Sequence, residues 1–213
     1  MIARPRHGDV FCWRIPDSRY IFARINLDVR AQCVKPKLLK PDSPLLIHDR
    51  AILVEVYTGL NTAPTFKRSE ILLPGVFVDS ESLRSGDWGI IDHVEVNPTE
   101  VEFPEGLAPF AGHAFFRKGE ISLQLPLTED DARRINVSDT GIPSAALPDV
   151  CLYYLDLKHL IQHEYAEACH LKNADLRFSD QRREIYRMLG EDETLSYFQM
   201  SRRIGFDITR FYK

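Results

Sequence analysis

The sequence predicts an α+β protein: a curled, mainly antiparallel and barrel-like β-sheet followed by a C-terminal helical appendage. Short strand-like runs fill the first two thirds of the chain, and the hydrophobic period becomes helical after residue 156. With 213 residues, of which 44% are hydrophobic and 27% charged, the chain has the composition of a globular protein with a sizeable core. We therefore expect a β-rich domain over residues 1–155 and a helical appendage over residues 156–213 packed on it.

The β-rich part is predicted from alternating apolar runs separated by turn residues. Asp9–Ile15 and Tyr20–Leu27 flank a Pro-Asp-Ser-Arg turn and form a hairpin. Thr128 and Asp131 fit a capping box that starts a short helix to Ile135. The further predicted strands are Ala51–Thr58, Glu70–Val78, Trp88–Val96, Glu100–Phe103, Ala114–Arg117, Glu120–Leu125 and Cys151–Leu155.

Helical spacing of apolar residues dominates the last part of the chain. Capping residues and glycines mark where each helix begins and ends. The apolar residues form a narrow stripe on each helix and need a partner surface, so these helices are expected to pack on the β domain. The predicted helices run from Asp156 to Asn173, from Ser179 or Asp180 to Gly190, and from Asp192 to Gly205.

Acidic residues are concentrated in the middle of the chain. The net charge is only -4, but residues 51–157 carry seven Lys or Arg against seventeen Asp or Glu. Within the window from residue 79 to residue 105, Arg84 is the single basic residue. Such a run is usually a solvated face, and its more specific interpretation is a surface that binds a cationic partner. The carboxylates are Asp79, Glu81, Asp87, Asp92, Glu95, Glu100, Glu102 and Glu105.

Residues 94–103 alternate apolar and acidic positions on both sides of an Asn-Pro-Thr turn. This pattern predicts a hairpin with one buried face and one face of carboxylates, with Glu95, Glu100 and Glu102 at the centre of the binding surface. Because like charges across paired strands are destabilising, a basic protein partner would explain them, whereas nucleic acid would be repelled. Trp88 and Phe103 are candidate aromatic anchors if they are exposed.

A metal site on the predicted helix after residue 156 is one alternative. His159, His163, Glu167 and His170 share one helix face, and His-x-x-x-His can hold a metal. These residues lie opposite the apolar stripe, so solvated helix surface is the favoured interpretation, and we predict no bound metal and no cofactor.

Pro148-Asp149 followed by Asp156-Leu157-Lys158 is similar to the PD-(D/E)xK pattern of metal-dependent nucleases. That chemistry needs both carboxylates on one Mg²⁺. Seven residues of extended chain would separate them by roughly 23 Å, and no turn residue lies between them. The nuclease remains the less favoured alternative.

Other enzyme and membrane signals are missing from the sequence. No Gly-rich phosphate loop, G-x-S-x-G elbow or CxxC pair is present, so we predict no enzymatic activity. Trp13 and Trp88 are expected in the core, and the cysteines are expected to be reduced and mostly buried. Because no apolar stretch is long enough for a membrane span or a secretory signal, we expect a cytoplasmic protein. The cysteines are Cys12, Cys33, Cys151 and Cys169.

The first hairpin resembles a known family. Gly8-Asp9-Val10-Phe11 and the run from Ile15 to Ile25 are similar to the opening of the immunity protein 26 family of bacterial polymorphic-toxin systems. Ser18 and Ala23 stand where that family usually has glycine. The resemblance extends over about residues 5–155, with its sharp part in the first twenty residues, and leaves the helical tail outside.

This resemblance implies an immunity protein that neutralises a cognate toxin by binding it. The acidic window suggests a basic toxin that attacks nucleic acid. Two alternatives remain open: an SH3-like β-barrel that binds nucleic acid, since Gly8-Asp9-Val10 also resembles such barrels, and a structural adaptor that docks a partner through its helical tail. A nucleic-acid surface should be basic, and only the N-terminal part of this chain is.

Overall fold

The structure is a computed structural model that describes residues 5–138 and 141–213, and for residues 163–165 it describes the backbone only. The fold is α+β, which confirms the predicted class. It contains a five-stranded antiparallel sheet in the order β4-β3-β2-β1-β5 and a three-stranded sheet in the order β6-β7-β8. Over the described ranges the strands do not close into a barrel. The strands are β1 (Asp9–Arg14), β2 (Tyr20–Asp28), β3 (Ala51–Tyr57), β4 (Ile71–Asp79), β5 (Gly89–His93), β6 (Glu105–Phe110), β7 (His113–Lys118) and β8 (Ile121–Thr128).

Short helices occupy the connections and the C-terminal part. The capping box of Thr128 and Asp131 starts α2 as predicted, and α4 ends at Gly190 in the left-handed conformation. Ser196 and Gln199 form a second capping box at the start of α5. The α-helices are α1 (Glu81–Ser85), α2 (Glu129–Ile135), α3 (Leu147–Tyr154), α4 (Arg182–Leu189) and α5 (Tyr197–Arg203).

Three sequence-based assignments are wrong. The run Cys151–Leu155 forms the last turn and the C-cap of α3, because Pro148 opens a helix there and the buried residues follow helical spacing. In the predicted strand Glu100–Phe103, Glu100 ends a 3₁₀ segment and the residues after it are irregular chain. The predicted helix from Asp156 is broken into short 3₁₀ segments, because Asp156 and other residues along it leave the α-helical conformation. Those segments are Lys158–Leu160, His163–Cys169 and Leu171–Asn173.

Two hydrophobic clusters lie on different sides of the five-stranded sheet. Phe11, Trp13 and Ile21 face α3 and the 3₁₀ segments that follow it. The second cluster joins Phe103 and the three-stranded sheet to α2, α4, α5 and the last residues of the chain. The C-terminal part therefore contributes to the core. In the described residues, no helix is long and apolar enough to cross a membrane.

Gly75 is the point where β4 approaches another segment most closely. It has a φ of 80°, and a Cβ placed there would lie 2.0 Å from the carbonyl oxygen of Glu102. We expect Gly75→Ala to lower the free energy of unfolding by at least about 1–3 kcal/mol, since backbone strain and a steric clash combine. Urea unfolding measures the effect. Gly86→Ala is the matched control, because Gly86 has a similar φ of 88° and open space around it; equal effects of the two substitutions would contradict the clash.

Candidate partner-binding surface

The acidic window does not form one continuous patch. Asp79 ends β4 and Asp92 lies in β5, which are the two opposite edges of the five-stranded sheet. Four strand spacings separate these edges, or roughly 19 Å at about 4.8 Å per spacing. The structure therefore divides the predicted carboxylates into groups with different surroundings.

Residues 94–104, here called the strap, follow β5 across the face of the sheet towards β4. The strap begins where Val94 N–H donates to the Gly8 carbonyl at 2.8 Å, and it later passes against Gly75. Arg24 Nη1 donates to the Glu95 carbonyl at 3.0 Å from beneath. Arg24 is itself buried and pairs with Glu55 at 2.9 Å. The strap backbone is thus held at several points along its length.

The hairpin predicted for residues 94–103 is wrong, although its separation of buried from exposed residues is right. Val96, Val101 and Phe103 are buried, while Glu95 and Glu100 are exposed. The turn between them is a 3₁₀ segment, Pro98–Glu100, capped by Asn97, whose Oδ1 accepts from Thr99 N–H at 3.2 Å. The alternation of apolar and acidic residues predicts which side chains face inward, but it does not predict which segment the backbone pairs with. A strap and a hairpin therefore give the same sequence pattern.

Asp92, Glu95 and Glu100 form the exposed acidic part of this surface. The carboxylate of Glu95 has no hydrogen bond or ion pair within the described ranges. Glu100 accepts from Asn97 Nδ2 at 2.9 Å and lies 3.5 Å from Arg68, and both members of that ion pair are more than half exposed. Such a pair leaves most of the negative charge available to a partner.

Asp79, Glu81 and Asp87 lie around α1. Asp79 is half-buried and accepts from the Ser144 N–H at 2.9 Å and hydroxyl at 2.8 Å. Burial by itself raises the pKa of Asp79, but these hydrogen bonds and that from Glu81 outweigh it and lower the pKa. Asp79 is therefore a structural acceptor, whereas Glu81 and Asp87 are exposed.

Glu102 and Glu105 belong to an internal ion network. Glu105 is completely buried and lies 3.1 Å from Lys118 and 2.8 Å from Arg182, and it accepts from the Tyr186 hydroxyl at 2.8 Å. Glu102 lies 3.0 Å from the same Lys118. The expectation that Glu105 is part of an exposed surface is wrong, because its carboxylate ties β6 to β7 and α4.

The pKa of Glu105 reflects this network. Burial raises the pKa of this carboxyl, but the hydrogen bonds from Arg182 and Tyr186 and the charge of Lys118 outweigh it and lower the pKa below its ordinary value of 4.5. Glu105 is therefore ionised at neutral pH inside the protein, where its role is to stabilise the fold.

The expected aromatic anchors are in the core. Trp88 is 4% exposed and stacks on Phe11 with ring centroids 5.1 Å apart, and Phe103 is 0% exposed. The core assignment of Trp13 and Trp88 is confirmed. Phe110 is instead 67% exposed at the turn between β6 and β7. Phe110 was not among the predicted contact residues, although Gly112, two residues after it, is of a type that favours hairpin turns.

The alternative metal and nuclease residues form no cluster among the side chains that the structure describes. No group of three or more metal-ligating side chains occurs among the residues that the structure describes, and the side chain of His163 lies outside them. His159 and His170 lie on different 3₁₀ segments or at their ends, not on one α-helical face. Asp149 lies in the first turn of α3, and Asp156 follows its end in the left-handed conformation.

The cysteines behave as structural residues. All of them are buried, as predicted. Burial raises the pKa of every one of these thiols, so the reactive thiolate form is disfavoured. The cysteines therefore do not support a nucleophilic mechanism.

Comparison with known proteins identifies one family. The family model of immunity protein 26 matches residues 6–106. This region contains the whole five-stranded sheet and the strap, and it ends just inside β6. The match is shorter than the resemblance expected over residues 5–155. None of the curated proteins and none of the solved structures matches the chain.

Proposed function

We propose, from the premise that residues 6–106 belong to the immunity protein 26 family, that this protein binds a cognate protein toxin and neutralises it without chemistry of its own. The family supports an immunity role in general terms. The identity of the toxin and the contact surface are our proposals.

The exposed acidic residues in and next to the strap are the observation that supports this contact surface. Asp92, Glu95 and Glu100 are exposed, and the backbone between them is anchored on Gly8, Arg24 and the β4 edge. A rigid group of like charges attracts a partner of opposite charge over about a Debye length, ~8 Å at physiological salt. A basic toxin, such as one that attacks nucleic acid, fits this surface.

Affinity requires apolar contact in addition to charge. Phe110 is the most exposed large hydrophobic side chain of the described residues, and it lies at the tip of a tight hairpin. β6 leads from the end of the strap to Phe110 over five residue steps, or roughly 17 Å. An interface of standard size, about 800 Å² on each partner, is wide enough to cover both.

We expect the triple reversal Asp92→Lys, Glu95→Lys and Glu100→Lys to slow association with the toxin encoded by the neighbouring gene about tenfold or more at low salt, because electrostatic steering is lost. Stopped-flow kinetics at low and high salt measure this, and the difference should shrink at high salt. Protection of cells against the toxin gives a second readout.

The control is a triple reversal of exposed carboxylates elsewhere, Asp156→Lys, Glu167→Lys and Asp180→Lys, which changes the net charge equally. This control should affect association much less, because the partner approaches the strap. If the strap variant folds, associates at the wild-type rate and still protects cells, the acidic surface is only a solvated face.

A further inference from the structure

A cavity of about 340 Å³ lies at one end of the five-stranded sheet. Arginines dominate its polar lining, together with a hydroxyl and a single carboxylate. Its volume lies at the lower end of the range of small-molecule sites, about 300–1,000 Å³. The polar residues that line it are Asp28, Arg30, Arg50, Ser80 and Arg84.

Antiparallel pairing brings these residues together from three separate connections. β2 ends at Asp28, which pairs with Ile52 near the start of β3, and Ala51 pairs with Asp79 at the end of β4. The chain just after β2, just before β3 and just after β4 therefore meets at one end of the sheet. Arg30, Arg50 and Arg84 lie in these connections.

The positive charge of this cavity is balanced only in part within the described part of the chain, where Arg84 is among the groups that lower the pKa of Asp79. Arg30, Arg50 and Arg84 have no carboxylate within 4 Å there, whereas Arg24 and Arg182 each form a close ion pair. The carboxylate of the cavity is already engaged, because Asp28 Oδ1 accepts from the Ala31 N–H at 2.8 Å. Three guanidinium groups around one concave site create a positive potential that an anion would relieve.

We propose that this cavity binds the phosphate group of a small molecule. Guanidinium groups donate paired hydrogen bonds to phosphate oxygens, and several of them can surround a doubly charged oxyanion. The Ser80 hydroxyl supplies a further donor from the same lining. The cavity leaves room beside the phosphate for the group that carries it. Phosphate binding at this site would not require the toxin.

Pyrophosphate and inorganic phosphate are the probes, and sodium chloride keeps the ionic strength constant. Succinate is the control ligand, because it is a dicarboxylate of similar size. Isothermal titration of the full chain should detect binding of pyrophosphate. Arg50→Ala and Arg84→Ala should each weaken it about tenfold or more, because each removes charge-assisted hydrogen bonds. Arg50→Lys should bind with intermediate affinity, since it keeps the charge but loses the paired donors.

Arg14→Ala is the matched control, because Arg14 is exposed, lies outside the cavity and lacks an ion pair among the described residues. It should bind pyrophosphate as the wild type does. Absence of binding by the wild type, equal binding of succinate, or equal losses in Arg14→Ala and Arg50→Ala would overturn the proposal. Toxin protection by Arg50→Ala should be unchanged, so failure here is distinguishable from failure of the immunity role.

Discussion

A chain that ends at residue 155 is expected to lose cooperative folding. The removed part supplies Tyr186, Tyr197, Met200 and Phe211, all buried in the cluster that contains Phe103. Burial of each such side chain contributes about 1.5–3 kcal/mol, so their sum is comparable with the whole stability of a typical domain, about 5–15 kcal/mol. The truncation also removes Arg182 and Arg210, the partners of the buried carboxylates Glu105 and Glu120.

Circular dichroism during thermal and urea unfolding measures this effect. The full chain should give one cooperative transition, and the shortened chain should give a broad transition or none. A shortened chain that unfolds cooperatively near the wild-type midpoint would show that the β-rich part folds without residues 156–213.

Glu105→Gln is expected to lower the free energy of unfolding by about 3–5 kcal/mol, because it removes the fully buried counter-charge of the buried Lys118. The glutamine has the same shape, so the loss reports the charge and not a cavity. Lys118 is 1% exposed in its side chain, and Glu102 is its remaining partner. The midpoint of urea unfolding at constant m-value measures the change.

The effect of Glu105→Gln should depend on pH. Since the folded-state pKa of Glu105 lies below its ordinary value of 4.5, its ionised form stabilises the protein above that pH. The stabilisation is lost as the pH falls below 4.5 and through the folded-state pKa. The difference between wild type and variant should therefore be largest near neutral pH and shrink in acid.

Glu184→Gln is the control for this substitution. Glu184 pairs with Arg187 on the surface of α4, where solvent screens the interaction, so little change in stability is expected. If Glu105→Gln is no more destabilising than this control, or if its effect is independent of pH, the network around Glu105 does not stabilise the fold.

The local features of the chain could be predicted because short-range contacts decide them. The first hairpin follows from two short, mainly apolar runs on both sides of a Pro-Asp-Ser-Arg turn, and α2 follows from its capping box. The helix at Leu147–Tyr154 was missed because a short apolar run is compatible with a strand or a buried helix, and its packing decides between them.

Amino-acid sequence alone determined the α+β class, the positions of most strands, the family resemblance and the inward-facing residues of the strap, since periodicity and turn residues act over a few neighbours. Tertiary structure alone decided which carboxylates are accessible and where the arginines gather. Glu105 and Arg182 are 77 residues apart, and Arg30, Arg50 and Arg84 meet only because antiparallel strands bring their connections to one end of the sheet. The residue type, and so the charge of a side chain, is known from the sequence, but the exposure of that side chain depends on distant segments that pack against it.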